Sequence, residues 1–201
     1  MRRHATGAAA AALLVMTTVW AAPSGAAPQA CDGVTVACEI GDTGPGGGIV
    51  FYDAGAEQGW GRYLEVAPAG WNRGRPDPRI HWCPWGAKGF NRPVATGTEI
   101  GTGAGNTRLV IEACGRATAA GTAAAYTARG KGDWFLPAKD ELNALFQARR
   151  EISGIPAVSY WTSSQSDAFV DYAYFQSFFS GNQSGWFFKG YERRVRPVRA
   201  F

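Results

Sequence analysis

Two segments of the chain concentrate the side chains that could bind an anion. Residues 72–92 and residues 189–201 each hold five Lys or Arg against one acidic residue. Guanidinium and ammonium groups bind sulfate and carboxylate through charge-assisted hydrogen bonds, and exposed tryptophans can stack on sugar rings. If the fold brings both segments onto one face, they predict a polyanion site. The candidate ligand-binding residues are Arg73, Arg75, Arg79, Trp82, Trp85, Trp186, Lys189, Arg193, Arg194 and Arg196.

The overall charge argues against nucleic acid as the partner. The formal net charge of +4 includes Arg2 and Arg3, and without them 18 basic residues face 16 acidic ones. A remaining charge of about +2 is too small for a general nucleic-acid binder. We therefore expect no nucleic-acid partner.

Catalytic residue patterns are sparse. Apart from His4 near the N-terminus, His81 is the only histidine, so a His-based metal cluster is excluded. A Ser-His-Asp triad could use His81, but no nucleophile-elbow motif accompanies it. Because His81 lies between Ile80 and Trp82, we interpret it as a packed or loop residue. The sequence predicts no catalytic residue, no metal ligand and no enzyme.

The N-terminus has the pattern of a secretory signal. Arg2 and Arg3 precede an uncharged run at residues 8–22, which is too short to span a membrane, and small residues follow at 24–27. We predict a signal peptide at residues 1–27, a secreted protein and no membrane span. Lipidation of Cys31 is the weaker alternative, because Pro28 stands where an aliphatic residue is required.

Four cysteines in an exported chain predict disulfides. Three pairings are open, and we favour Cys31 with Cys38 and Cys83 with Cys114. The first would fasten an N-terminal arm at residues 28–40. The second would tie a long loop to a helix. A reactive thiol is the functional alternative.

Residues 133–164 predict the centre of the fold. The apolar residues 134–136 favour an extended entry, and Pro137 suits the first turn of a helix. The helix has an apolar stripe at Leu142, Leu145 and Phe146 and should end near residues 153–156. Residues 160–162 are strand formers. Trp134 and Trp161 are assigned to the core.

The flanking regions predict further strands and helices. Glycines in residues 41–48 precede a strand at 49–52, not the helix a phosphate loop needs, so we interpret them as a tight turn or a close backbone approach. Residues 62–67 should pair with that strand. The irregular stretch 69–105 has the length of a functional loop. It should lead to a helix capped by Asn106 or Thr107 and to a second, Ala-rich piece.

The C-terminal part is aromatic. Residues 172–188 predict a hairpin around Gly181 and Asn182. Residues 194–199 predict one last strand, in which Pro197 requires an edge or a bulge.

Five motifs in this order, GDTGPGGGIVFYD, TGTEIGTGAGNT, DWFLPAKDEL, YWTSS and VRPVRAF, resemble one family. Residues 41–201 are similar to the C-terminal domain of the Lcl collagen-like bacterial adhesin. That domain belongs to a branch of the C-type-lectin-like fold related to formylglycine-generating, sulfatase-modifying enzymes. The resemblance implies an α+β fold in which two helices flank a small, mostly antiparallel sheet with long irregular loops.

The resemblance also bears on function. Sugar-binding C-type lectins hold calcium through Glu-Pro-Asn or Gln-Pro-Asp and Trp-Asn-Asp, which are absent here; Asp167 and Asp171 alone are too few oxygens. The related enzymes carry a C-terminal cysteine pair, but nothing after Cys114 is cysteine. The adhesin branch implies binding of sulfated glycosaminoglycans. We therefore expect a non-enzymatic recognition module for acidic glycans or a cell-surface ligand, without a cofactor.

Two alternatives remain open. The aromatic hairpin could instead be a protein-binding surface, including one that forms a homotrimer. An enzyme of the sulfatase-modifying group is the weaker alternative.

Overall fold

A computed structural model describes residues 30–201 of the chain, so the predicted signal peptide lies outside the described residues. This part of the protein is a mixed α+β structure. Its helices are α1 (Gly103–Cys114), α2 (Ala119–Ala124) and α3 (Lys139–Ala148). Its strands are β1 (Ile49–Gln58), β2 (Gly61–Val66), β3 (Arg79–His81), β4 (Ser159–Gln165), β5 (Tyr172–Ser177), β6 (Gln183–Phe188), β7 (Glu192–Arg194) and β8 (Val198–Ala200).

The strands form two sheets. One has the order β1-β2-β8, and the other has the order β3-β7-β4-β5-β6. Every neighbouring pair is antiparallel except β4 and β7, which are parallel. The α+β expectation is confirmed in this coarse form. The expected arrangement of two helices around one sheet is wrong for residues 30–201, which contain three helices and two sheets.

The glycine-rich turn before β1 holds a buried carboxylate. The Glu65 side chain accepts hydrogen bonds from the backbone N–H groups of Gly46 at 2.9 Å and Gly48 at 2.8 Å. A Cβ atom on Gly46 would lie 2.5 Å from a Glu65 oxygen. A larger residue would therefore displace the carboxylate, and the predicted close backbone approach is confirmed.

Residues 133–164 connect the two sheets. Phe135 exchanges two backbone hydrogen bonds with Val198 in β8, and the Ser163 N–H of β4 donates to the Pro137 carbonyl. The apolar stripe of α3, residues 142–146, packs into the core as predicted, and Trp134 and Trp161 are buried. α3 ends at Ala148, earlier than predicted, because Arg149 donates to the Phe146 carbonyl and closes the helix.

The predicted caps of α1 are wrong. The helix begins at Gly103, so Asn106 and Thr107 lie inside it. The Asn106 amide donates to the Gly97 carbonyl at 2.8 Å, and the Thr107 hydroxyl accepts from the Leu136 N–H at 3.0 Å. Both polar side chains pair with other segments instead of with the start of their own helix.

The predicted last strand is also wrong, because it divides into β7 and β8 in different sheets. Buried Arg196 lies between the two strands and forms an ion pair with Asp77 at 2.9 Å. Pro197 follows it and has no N–H to donate to a ladder. The chain therefore crosses from one sheet to the other at residues 195–197.

Both favoured disulfides are present, Cys31 with Cys38 and Cys83 with Cys114. The first packs with Val50 and Tyr63, so the N-terminal arm adds to the core. It also occupies the sulfur that lipidation of Cys31 would need. No helix within residues 30–201 is long and apolar enough to cross a membrane.

Candidate functional site

A pocket of about 530 Å³ opens between the loop before β3 and the short helix α2. We call it the arginine pocket, because Arg73, Arg75 and Arg116 line it and all three residues are exposed. Its other lining residues are Trp71, Asn72, Gly121, Thr122, Ala125 and Tyr126. It thus combines basic groups with two aromatic side chains.

One wall is a tight turn at residues 70–75. The Gly74 N–H donates to the Gly70 carbonyl at 2.8 Å, and the Arg75 N–H donates to the Asn72 carbonyl at 3.0 Å. Arg73 has a φ of 55°, a conformation that costs a non-glycine residue free energy. The turn therefore holds an exposed arginine in a strained backbone conformation beside a pocket, which is typical of functional positions.

The opposite wall of the pocket is formed by the segment that comes after α1 in the chain. Arg116 comes two residues after Cys114, whose disulfide to Cys83 anchors the end of this helix. α2 packs closely on Arg116, because a Cβ atom on Gly121 would lie 2.0 Å from the Arg116 carbonyl oxygen. The Arg116 backbone is consequently held in place between two helices.

The aromatic floor connects the pocket to the core. Tyr126 makes edge contacts with Trp71 and Trp134, at ring-centroid distances of 5.3 Å and 4.8 Å. Burial raises the pKa of the Tyr126 hydroxyl. The Trp71 Nε1 donates to an Asp77 carboxylate oxygen at 2.7 Å. The floor is therefore joined to the core through Trp134 and Asp77.

The pocket arginines have no acidic partner in the described part of the chain. Within residues 30–201, no carboxylate oxygen lies within 4 Å of a nitrogen of Arg73, Arg75 or Arg116. Their charges are available to an external anion.

A second basic group forms where the two arginine-rich segments meet. β3 and β7 pair, with Arg79 opposite Arg194, and together with Arg193 they line a small pocket of about 150 Å³. Arg79 donates to the Glu192 carbonyl, and Arg194 donates to the Asp77 carbonyl. The pairing brings the two segments together, but these two guanidinium groups are partly occupied.

Arg193 is committed to aromatic packing. Its guanidinium carbon lies 3.5 Å from the Phe187 ring centroid and 4.5 Å from that of Phe175. Burial, and secondarily the charge of Arg79, lower the pKa of Arg193. This arginine therefore contributes less to an anion site than sequence position suggested.

Three predicted ligand-binding residues lie in the interior, so the prediction that they belong to a surface site is wrong. Trp82 is fully buried, and its Nε1 donates to the Thr162 carbonyl. The Arg196 side chain is 3% exposed and is bonded to Asp77. Lys189 is fully buried as well. Trp82 and Lys189 have no surface to offer to a ligand, and Arg196 has almost none.

Buried Lys189 connects the long loop at residues 69–105 to β4. Its Nζ donates to the Gln165 side chain at 2.8 Å and to the Gly89 carbonyl at 3.1 Å, and it lies 4.7 Å from the Trp82 ring centroid. Burial lowers the pKa of Lys189 to about 8. The residue stabilises residues 89–94 against β4.

Trp85 and Trp186 are exposed, as a sugar-stacking role requires, with 63% and 66% of their surface accessible. Trp85 stacks on Phe90 and makes a tilted contact with Phe188, and Trp186 contacts Phe169. They belong to an aromatic surface around β6, outside the arginine pocket. We name this the aromatic surface; it is formed by Trp85, Phe169, Tyr172, Trp186, Phe188 and Tyr191.

Acidic side chains do not cluster in the described residues. Among residues 30–201 no three His, Cys, Asp or Glu side chains converge to hold a metal ion. Asp167 accepts from the Tyr174 hydroxyl at 3.0 Å instead. All four cysteines of the chain are in disulfides. His81 lies in β3, where its Nδ1 is 2.6 Å from the Gly190 carbonyl.

Three residues of the arginine pocket were missed as site residues: Trp71, Arg116 and Tyr126. Arg116 belongs to neither basic segment, and no local pattern distinguishes it from other surface arginines. Trp71 could have been found, since it directly precedes the Asn-Arg-Gly-Arg turn in the loop predicted to be functional.

No protein-family model matches this chain, and no curated protein matches it either. The site therefore has to be interpreted from its own geometry.

Proposed function

We propose that this protein is a secreted, non-enzymatic recognition module of C-type-lectin-like fold that binds acidic glycans at the arginine pocket. The observation that carries the proposal is the set of three exposed arginines, without carboxylate partners in the described chain, around an aromatic floor. Arginine donates paired hydrogen bonds to sulfate and carboxylate groups. Aromatic rings add stacking area for a sugar ring.

Sulfated polysaccharide is the ligand class that suits this arrangement best. A pocket of this volume falls within the range of small-molecule sites, yet it is open and carries positive charge on two walls. A sugar ring with anionic substituents would satisfy both walls at once. The sequence motifs support the same fold and ligand class through their resemblance to the collagen-like adhesin domain.

Heparin chromatography of the mature protein tests the proposal. We expect elution above physiological salt, and we expect the triple substitution Arg73→Gln, Arg75→Gln and Arg116→Gln to bring elution to physiological salt or below, because salt competes with the lost ionic contacts. The matched control is Arg92→Gln, Arg108→Gln and Arg150→Gln, which removes the same charge from exposed positions outside the pocket.

Equal losses in the two triple variants would contradict a specific pocket. They would reduce the interaction to net charge alone. Elution of the wild-type protein below physiological salt would contradict the glycan ligand itself.

The aromatic surface favours a second candidate, a protein-binding or homo-oligomeric module. Its residues include Trp85, Trp186, Phe169 and Tyr191, each at least 43% exposed, and exposed apolar clusters of this kind mark interaction sites. Light scattering across a concentration series tests a homotrimer. A monomer at high concentration contradicts it, whereas a trimer that Trp186→Ser dissociates supports it.

An enzyme of the thiol-dependent type is tested separately. Its chemistry needs a free thiolate, and titration of thiols in the native protein would reveal one. No titratable thiol contradicts that alternative.

A further inference from the structure

A second pocket of about 250 Å³ lies on the other side of the turn at residues 70–75. Ala69, Gly70, Gly74, Pro76, Gly154 and Pro156 supply most of its lining. Asp77 and Arg196 form its charged base, but they are paired with each other at 2.9 Å. The unpaired charge in this pocket therefore comes from Arg75.

Arg75 lines both pockets. Two separate ligands, one in each pocket, would compete for this guanidinium group. One chain that crosses the turn would place an anionic group at Arg75 and continue on both sides of it. The two cavities thus favour one elongated ligand.

The chemistry of the two sides differs. The arginine pocket adds Arg73 and Arg116 to Arg75, so it suits the charged unit of a glycan. The second pocket is small, lined by glycine, alanine and proline, and its base is neutralised, so it suits the apolar face of an uncharged or weakly charged sugar ring.

Resting on the proposed function, we infer that the second pocket is a further subsite and that the ligand is an extended polysaccharide crossing the turn at residues 70–75. One buried group supports the lining of both pockets, because the Asp77 carboxylate accepts from Trp71 at 2.7 Å and pairs with Arg196. The Arg196 guanidinium also donates to the Gly154 carbonyl at 3.0 Å, at the far edge of the second pocket. The two subsites therefore keep a constant spacing.

Calorimetric titration with size-defined heparan sulfate fragments tests the inference, with a sulfated disaccharide compared with a tetrasaccharide that adds an unsulfated unit to it. For the wild-type protein we expect a tetrasaccharide to bind at least about tenfold more tightly than a disaccharide, because the second unit binds at high effective concentration. Ala69→Trp fills the second pocket from an exposed position. It should leave disaccharide affinity within about twofold of wild type and remove most of the gain with length.

Ala168→Trp, on an exposed loop that lines neither pocket, is the matched control. Pro156→Tyr fills the same pocket from the opposite side and replaces Ala69→Trp if that variant does not fold.

The outcomes separate the two proposals. Equal affinity for disaccharide and tetrasaccharide, or a full length effect in both filled variants, would overturn the second subsite and leave the arginine pocket intact. Absence of binding for every fragment would overturn the proposed function and this inference with it.

Discussion

Arg75 and Arg196 line the same pocket, yet they differ in exposure and in pairing. Arg75 is exposed and has no carboxylate partner in the described chain. Arg196 is buried, pairs with Asp77 and also donates to the carbonyls of Ala67, Pro68 and Gly154. One arginine is available for a ligand, while the other is a structural centre for three segments.

The difference shows that positive charge in the sequence has two uses in this fold. Inside, arginine neutralises ionised acids whose charge would be costly to bury unpaired, and Glu65 with Arg199 repeats the arrangement at 2.8 Å. Outside, the arginines of the pocket have no carboxylate partner within residues 30–201. Trp71 joins the two, since it lines the arginine pocket and donates to Asp77.

The largest expected effect comes from breaking the inner pair. Arg196→Met leaves the Asp77 carboxylate buried without its cation, and we expect the free energy of unfolding to fall by about 3–5 kcal/mol. Chemical denaturation measures it. Arg75→Met is the control and should change stability by less than about 0.5 kcal/mol. Similar small effects at both positions would refute the distinction between the two arginines.

Removing the disulfide beside the pocket should affect stability and binding together. We expect Cys83→Ala with Cys114→Ala to cost about 3–4 kcal/mol, given its sequence separation of 31 residues. Heparin binding should also weaken, because Arg116 loses its anchor. The matched control is Cys31→Ala with Cys38→Ala, which removes a disulfide that closes a shorter loop, far along the chain from Arg116. This variant should lower stability but leave heparin elution unchanged. Both variants are compared at a temperature where they are folded.

A third buried acid differs from these two, because no arginine of residues 30–201 pairs with it. In this part of the chain, Glu141 accepts only from the backbone N–H groups of Ala138, Gly101 and Gly103. Burial raises its pKa to about 7, although these hydrogen bonds act in the opposite direction. The folded chain therefore holds a proton that the unfolded chain releases above pH 4.5.

It follows that the free energy of unfolding should fall as the pH rises from about 4.5 to about 7, by an amount on the order of 2–3 kcal/mol. Thermal unfolding across this range measures the slope. Glu141→Gln should flatten it, and an unchanged slope in that variant would place the titration at another group.

The smallest effect concerns the strained turn. Arg73→Gly relieves a φ of 55° and should stabilise the protein by about 0.5–1 kcal/mol while weakening heparin binding. Asn72→Gly, at a neighbouring position without positive φ, is the control and should not stabilise. A loss of stability in Arg73→Gly would mean that the arginine side chain supports the turn.

Much of the fold could be predicted because it depends on local patterns. The glycine turn, the first hairpin, α3 and the aromatic hairpin follow from turn residues and periodicity. The division of residues 192–200 into β7 and β8 could not be predicted, since it depends on Asp77, which is 119 residues away from Arg196. The same holds for Asn106 and Thr107, whose partners lie in other segments.

The site could be predicted only in part. Arg73 and Arg75 were found because they belong to a basic segment within a long, aperiodic loop. Arg116 was missed, since the pocket needs α2 and the Cys83 disulfide to bring it opposite the turn at residues 70–75. Trp82, Lys189 and Arg196 were placed outside because their residue types favour the surface, whereas internal partners hold the two cations in the core.

Residue order alone indicated that the cysteines pair, that the glycine segment forms a tight turn or a close backbone approach, and that arginine is concentrated in two segments, because these follow from residue type and local pattern. It left open which arginines are free. An arginine inside one of these segments is neutralised or exposed according to whether a carboxylate from a distant segment lies within a few ångströms, and that distance exists only in the folded chain.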